Sequence, residues 1–307
     1  MAIDKSSSGF LAALSDELAG AVERAGQSVV AVDGRRRLPA SGIVWPGNGT
    51  VVTADHVLER DEDITVTLAG GQQVPATLAG RDPGTDVAVL RLAGATPAPA
   101  ELAPEGSVRV GHFVLALGRP GTEAPVVSFG VVSTLGGMWR TARGGALEGY
   151  IRADLALYPG FSGGPLIDVQ GRVAGLNSSH LAPGRGLAIP ANTVGQIVEM
   201  LLTQGRVRRA YLGVTSQPVA LPEGLRREHG LKQETGLIIV GVEPGSPAEK
   251  GGLLMGDVLT ALSGQAVTDG EDLQAALGAQ AVGNPMTVSI LRGGKAMDLI
   301  VTPGERK

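Results

Sequence analysis

A serine set among glycines is the first place where this chain could do chemistry: Pro159-Gly160-Phe161-Ser162-Gly163-Gly164-Pro165. Small neighbours let a backbone turn so that successive N–H groups face one side. Gly160, Phe161 and Ser162 form the candidate oxyanion hole for the charge created when the Ser162 hydroxyl attacks a carbonyl. By itself the pattern fits an ordinary glycine turn equally well. A serine hydroxyl is a poor nucleophile at neutral pH and needs a base. The chain offers His56, His112, His180 and His229. His56 follows the β-branched run Val51-Val52-Thr53 at a strand-to-turn corner. His112 reads as structural, at a strand start, and His229, beside Glu228, as solvated.

A histidine base needs a carboxylate to fix its tautomer and to stabilise the imidazolium. Asp86 opens the apolar run Val87-Ala88-Val89-Leu90, where a carboxylate is costly to bury without a partner. Its rival is a turn-capping role, for which Asp82 and Thr85 are alternatives. Taken together, His56, Asp86 and Ser162 stand in the chain order His–Asp–Ser of the chymotrypsin fold, not that of subtilisin or the α/β-hydrolases.

Such groups must be positioned by strands. Residues 29–32, 42–45, 51–53, 64–68, 87–92, 113–117, 130–135 and 173–176 read as short strands between Gly, Pro and Asp turns. Many short strands without intervening helices point to barrels or a sandwich. The Pro/Ala-rich stretch 94–104 reads as a connection between two β-units. Residues 8–26 predict an amphipathic helix capped by Ser8, with Phe10, Leu11, Leu14, Leu18 and Val22 at helical steps. It could pack on its own domain or contact another subunit. A second helix is expected over 191–203. Beyond it, residues 211–303 mix strands (237–242, 258–262, 286–291, 296–301) with short helices at 248–253 and 271–277.

At this point the motifs carry a resemblance. Thr53-Ala54-Asp55-His56-Val57, Thr85-Asp86-Val87-Ala88-Val89-Leu90 and Gly160–Pro165 resemble the histidine, aspartate and G-N-S-G-G-P motifs of the HtrA/Deg family of PDZ-containing, trypsin-like serine proteases. Asp154, Pro159, Gly175-Leu176-Asn177 and Gly186-Leu187-Ala188-Ile189-Pro190 match family positions too. The resemblance implies a mainly β fold: a chymotrypsin-like double β-barrel protease domain with an N-terminal helix, followed by an α+β PDZ domain. It also implies an oligomer built on trimers and a role in protein quality control. The expected organisation is a helix over 1–27, a protease domain over 28–204, a linker over 205–210 carrying Arg206, Arg208 and Arg209, and a PDZ domain over 211–307. Two residues depart from the family pattern. Phe161 stands where Asn is usual, and His180 where an apolar residue is.

The resemblance further implies which residues meet a substrate. Leu157, Leu176 and His180 are expected to line the primary specificity pocket, and Asn177, Ser178 and Ser179 to face the substrate backbone. With Leu155, Ala156 and Leu157 before the serine and no carboxylate among them, the pocket is apolar and suits small or medium aliphatic P1 residues. In the second domain, Tyr211, Leu212, Gly213 and Val214 read as a carboxylate-binding loop, with Leu273 or Leu277 lining a side-chain pocket for C-terminal peptides.

Composition narrows the rest. The chain has 307 residues, 43% apolar and 18% charged, which suits two domains with cores of their own. A net charge of -4 gives no electrostatic case for nucleic acid. There is no cysteine, which excludes disulfides and thiolate metal sites. No cofactor is expected. No apolar run reaches membrane-spanning length. The first residues lack the apolar core of a signal peptide, so a cytoplasmic chain is expected, with the periplasm as the alternative if a targeting segment was removed. The function that fits is an ATP-independent serine endopeptidase acting on unfolded or misfolded proteins. The alternative is a protease-fold chaperone or scaffold without turnover, which would be expected to lose a triad member or the glycines around the serine. An esterase of the α/β type would show the order Ser–Asp–His, and a metal hydrolase a clustered ligand set; neither pattern is present.

Overall fold

A computed structural model of the chain describes residues 5–36, 38–95, 97–121, 124–141, 145–182, 186–207, 210–277 and 281–305. It forms two compact units, Met1–Val207 and Arg208–Lys307. Arg208 and Arg209 of the expected linker lie outside the described residues.

The first unit opens with α1 (Lys5–Gly26). Position 8 is therefore inside the helix rather than its N-cap, a correction to the expected start. Leu18, Ala21, Val22 and Ala25 turn onto the core, while Phe10 and Leu11 stay exposed. Barrel 1 follows: β1 (Val29–Asp33), β2 (Ala40–Trp45), β3 (Thr50–Thr53), β4 (Ile64–Thr67), β5 (Gln73–Asp82) and β6 (Val87–Leu92). It closes in the order β1-β2-β3-β6-β5-β4. Residues 93–112 lead to β7 (Phe113–Gly118) and β8 (Val126–Gly136), then a ribbon of β9 (Trp139–Arg140) and β10 (Ala146–Leu147). The strands β11 (Tyr150–Asp154), β12 (Pro165–Asp168), β13 (Val173–Asn177) and β14 (Gly186–Pro190) complete barrel 2, in the order β11-β14-β13-β12-β7-β8. The unit ends with α2 (Ala191–Gln204), stopped by Gly205 at φ 72°.

The strands nearest the site are buried on both faces, which explains their unbroken apolar runs. Side chains alternate faces along a strand. In β6, Ala88 and Leu90 fill barrel 1, while Val87 and Val89 join the shared core with α1 and α2. In β7, Val114 and Ala116 fill barrel 2, while Leu115 and Leu117 face that same shared core. Period-two alternation of apolar and polar residues cannot appear where neither face meets water.

The second unit has a short ribbon, β15 (Ala210–Tyr211) with β22 (Gly304–Glu305), and one sheet. The sheet comprises β16 (Val214–Ala220), β17 (Thr235–Val242), β18 (Val258–Leu262), β19 (Gln265–Ala266), β20 (Met286–Arg292) and β21 (Lys295–Val301). Its order is β16-β17-β18-β20-β21, with β19 paired to β18, so β16 is an edge. Three α-helices among the described residues accompany it: α3 (Glu223–His229), α4 (Pro247–Lys250) and α5 (Gly270–Ala276). α4 is capped by Ser246, whose side chain accepts from Glu249 N–H. Among the described residues, no helix is long and apolar enough to cross a membrane.

Candidate active site

His56 sits on a single 3-10 turn, Asp55–Val57, directly after β3. Asp86 stands just before β6 and is 1% exposed. It adopts the left-handed region at φ 61°, a conformation that Asp tolerates better than most residues. The turn before it is capped by the other candidate carboxylate: Asp82 accepts from Gly84 N–H, Thr85 N–H and the Thr85 hydroxyl. The two aspartates therefore divide the roles that the sequence left open. Asp82 shapes the turn, and Asp86 is aimed by it.

The aim is at His56. Asp86 Oδ1 accepts the His56 backbone N–H at 2.9 Å, and its Oδ2 lies 2.8 Å from His56 Nδ1. An ionised carboxylate only accepts, so Nδ1 carries the ring proton and Nε2 is left bare as a base. The hydroxyl of Ser178 donates to Asp86 Oδ2 at 2.5 Å. That is a third donor to the same carboxylate, and sequence reasoning missed it. Ser178 was read only through its backbone, and nothing in the residue type announces a partner 92 positions away.

The nucleophile loop is held from barrel 1. Ser41, fully buried in β2, donates its hydroxyl to Gly160 C=O at 2.6 Å, and its N–H donates to Ser162 C=O. Thr53 in turn donates to Ser41 C=O. The glycines are demanded by this proximity. Gly160 (φ 89°) and Gly163 (φ 85°) are both left-handed, and a Cβ on Gly163 would lie 2.2 Å from Ser41 C=O. Phe161 explains itself here. Its ring is 0% exposed, sits among Val114, Ala116, Ile151 and Leu166 inside barrel 2, and meets Tyr158 edge-on. The side chain anchors the loop in the barrel, while the flanking backbone does the turning.

The N–H groups at Gly160 and Ser162 have no protein acceptor among the described residues, whereas Phe161 N–H donates to Tyr158 C=O. Phe161 is therefore removed from the candidate oxyanion hole, which reduces to two donors. The Ser162 hydroxyl is not bonded to His56. It pairs with the Ser179 hydroxyl at 2.8 Å and accepts Ser179 N–H at 3.2 Å. His180 is exposed and stacks on His56, with ring centroids 5.1 Å apart.

Other expected positions need correction. Leu176 is 0% exposed within the shared core, so it offers no surface to a specificity pocket. Leu157 is half-buried against the interior of barrel 2. Asn177 N–H and C=O are spent on Gly164 and Gly163, and the N–H of Ser178, just past the end of β13, on Leu187; their N–H groups cannot meet a substrate backbone. His112 accepts from Arg109, and His229 is half-buried with its Nε2 on Gly294 C=O rather than solvated. In the second unit Leu212, Leu273 and Leu277 are buried in the domain core. The loop itself is left-handed at Gly213 (φ 84°), with Leu212 and Gly213 N–H unbonded among the described residues. Tyr211 bonds Glu243 through its hydroxyl. Among the described residues no group of acidic or histidine side chains could hold a metal ion.

Residues 40–176 match the trypsin-like peptidase domain model, and residues 210–302 match the PDZ domain model. HhoB of Synechocystis sp., named as a serine protease, is 32% identical over 288 residues, covering 89% of this chain and 68% of that protein. The chain belongs to the HtrA/Deg family of PDZ-containing serine proteases. A DegP-like protein of Brucella suis, named as a periplasmic serine endoprotease, is 35% identical over 269 residues, covering 85% of this chain. The chain spans about half the length of the DegP-like relatives it matches, 52% in that case. Among solved structures, the HtrA-type protease AlgW with tripeptide shares 30% identity at a TM-score of 0.75, covering 94% of this chain and 97% of that one. The serine endoprotease from Yersinia pestis shares 27% at 0.77, covering 94% and 98%. The periplasmic names of DegP-like HtrA/Deg relatives overturn the cytoplasmic expectation. That expectation rested on the first residues of this sequence, and those carry no weight on compartment.

Proposed function

We propose that the chain is an ATP-independent serine endopeptidase that cleaves unfolded or misfolded proteins through an acyl-enzyme, with Ser162 as nucleophile, His56 as base and Asp86 as orienting carboxylate. The observation that carries this reading is the Asp86 carboxylate on His56 Nδ1, at the corner where the Ser162 loop enters from barrel 2. Substrate binding turns the Ser162 hydroxyl from Ser179 to the bare His56 Nε2. His56 takes its proton as Oγ attacks the carbonyl, and the N–H groups of Gly160 and Ser162 hold the oxyanion. His56 then gives that proton to the leaving amine, and a water repeats the sequence to release the acid.

The domain limits that fit this reading are 28–204 for the protease and 211–307 for the PDZ domain, joined over 205–210. The stretch Leu155-Ala156-Leu157 favours apolar P1 residues. Mapped cleavage mainly after Lys or Arg would refute that preference. The open edge of β16 can accept a C-terminal peptide as an added strand, with the Leu212–Val214 loop at its carboxylate. Assembly in trimers or their multiples follows the family, with Phe10 and Leu11 free to contribute; light scattering gives the mass. The names of the DegP-like relatives favour the periplasm, which osmotic-shock fractionation tests. The function itself is tested by incubating the full chain and its Ser162→Ala form with unfolded casein. Cleavage by the parent alone supports the assignment, and equal cleavage by both refutes it.

A further inference from the structure

The turn that carries His56 has no side-chain cap of its own. Beyond its own backbone bonds and the grip of Asp86, it is held by one guanidinium. Arg81 lies in β5, paired with Ala88 of β6, two residues after Asp86. Its Nε donates to Asp55 Oδ1 at 2.5 Å, and its Nη1 to Asp61 Oδ1 at 2.5 Å. Its Nη2 donates both to Asp55 C=O at 3.2 Å and to Leu58 C=O at 3.1 Å. The fork thus grips the residue before His56 and the residue that ends the turn. A planar, five-donor cation can do this and an ammonium cannot.

We propose that Arg81 is a positioning residue for the base, fixing the His56 turn against the strand that follows Asp86. The inference rests on the peptidase reading above. Asp55 is 2% exposed and adjoins His56 in sequence. Burial pushes its carboxyl above the ordinary value, while the hydrogen bond and charge of Arg81 pull it down; Asp86 and Asp82 push it further up. Burial opposes the Arg81 charge as well, but Asp55 and Asp61 hold the guanidinium above its ordinary value. Without Arg81, a buried carboxyl would stand one residue from the base with no cation, Leu58 C=O would lose its donor, and Asp55 C=O would keep only the Leu58 N–H. A buried charge without its partner is among the costliest defects a protein can carry. The turn relieves it by moving, and His56 moves with it.

The test compares the full chain with Arg81→Met, Arg81→Lys and the double variant Arg81→Met/Asp55→Asn. The readout is the rate at which a small fluorophosphonate labels Ser162, with kcat and KM on a peptide substrate beside it. Arg81→Met is expected to label ~10²-fold more slowly, the scale of an ångström's misplacement of a reacting group, with the loss in kcat rather than KM. Asp55→Asn on that background is expected to regain about tenfold, because contacting residues of one network couple at this scale. Arg81→Lys, which keeps the charge without the fork, is expected to fall between parent and Arg81→Met. It carries the test if Arg81→Met does not fold. A labelling rate within twofold of the parent in both single variants overturns the proposal, as does a slow Arg81→Met that Asp55→Asn leaves no faster. If the parent itself is not labelled at Ser162, the peptidase reading fails instead, so the two failures are distinguishable.

Discussion

Removing the Ser179 hydroxyl should speed the reaction of Ser162 with a small serine-directed probe. In the resting geometry the Ser162 hydroxyl has two partners, the Ser179 hydroxyl at 2.8 Å and the Ser179 N–H at 3.2 Å, and neither is the base. The Ser162 hydroxyl must turn from the Ser179 hydroxyl before His56 can take its proton. Ser179→Ala deletes the shorter contact and leaves the backbone one. A neutral hydrogen bond at a half-exposed site contributes a net ~0.5–1.5 kcal/mol. Through RT this is a factor of roughly 2–10 in the fraction of molecules whose serine is free to turn. The assay is the second-order rate of fluorophosphonate labelling, which does not depend on binding of an extended peptide. Ser179→Thr, which keeps a hydroxyl in place, is the control and should stay within about twofold of the parent on the same scale. An unchanged or slower rate in Ser179→Ala would show that the Ser162–Ser179 pair does not hold the nucleophile back.

Three other outcomes follow from the geometry. Phe161→Ala empties a site that is 0% exposed and should destabilise the first unit by ~3–5 kcal/mol, read as a lower thermal midpoint. Gly163→Ala should abolish casein cleavage, because its Cβ would meet Ser41 C=O at 2.2 Å at a left-handed φ; retained activity would contradict the packing described. In the second unit, burial raises the Asp257 carboxyl, but the hydrogen bond from Arg292, the Leu254 N–H and the Arg292 charge together hold it below its ordinary value. A depressed folded-state value contributes stability that is present above the unfolded value of about 3.9 and is lost as pH falls through the folded one. The melting of this unit should therefore drop below about pH 4, and Asp257→Asn should flatten that drop. A melting point as acid-sensitive in the variant as in the parent would assign the drop to other carboxylates.

The legible part of this protein was its sparse chemistry. With four histidines in the chain and one of them at a strand-to-turn corner, the base could be picked out before any coordinates, and the carboxylate and serine followed by order. Asp86 was read as that carboxylate because it opens an apolar run, against the rival reading of a turn-capping aspartate. Both are buried, Asp82 ending β5 and Asp86 just before β6, and the fold shows that Asp82 caps the turn while Asp86 faces His56. β5 escaped notice because Pro75 and Gly80 punctuate it. Gly80 sits at a register shift, where a Cβ would lie 2.6 Å from Gly205 C=O. Ser41, Arg81 and Ser178 were invisible as scaffolding. Each is a single polar residue whose partners lie tens of positions away, so no local pattern marks it. Leu176, Leu273 and Leu277 were misjudged for the opposite reason. An apolar residue near a site looks like a pocket wall in sequence, and here all three are core.

The central claim is that Ser162, activated by His56 and Asp86, is the group that attacks substrate. The most direct test is to treat the full chain with a fluorophosphonate and locate the adduct by peptide mass mapping. The account predicts one adduct, on Ser162, that disappears in Ser162→Ala and forms far more slowly in His56→Ala. An adduct on another residue, or labelling of Ser162 that is indifferent to His56, would contradict it.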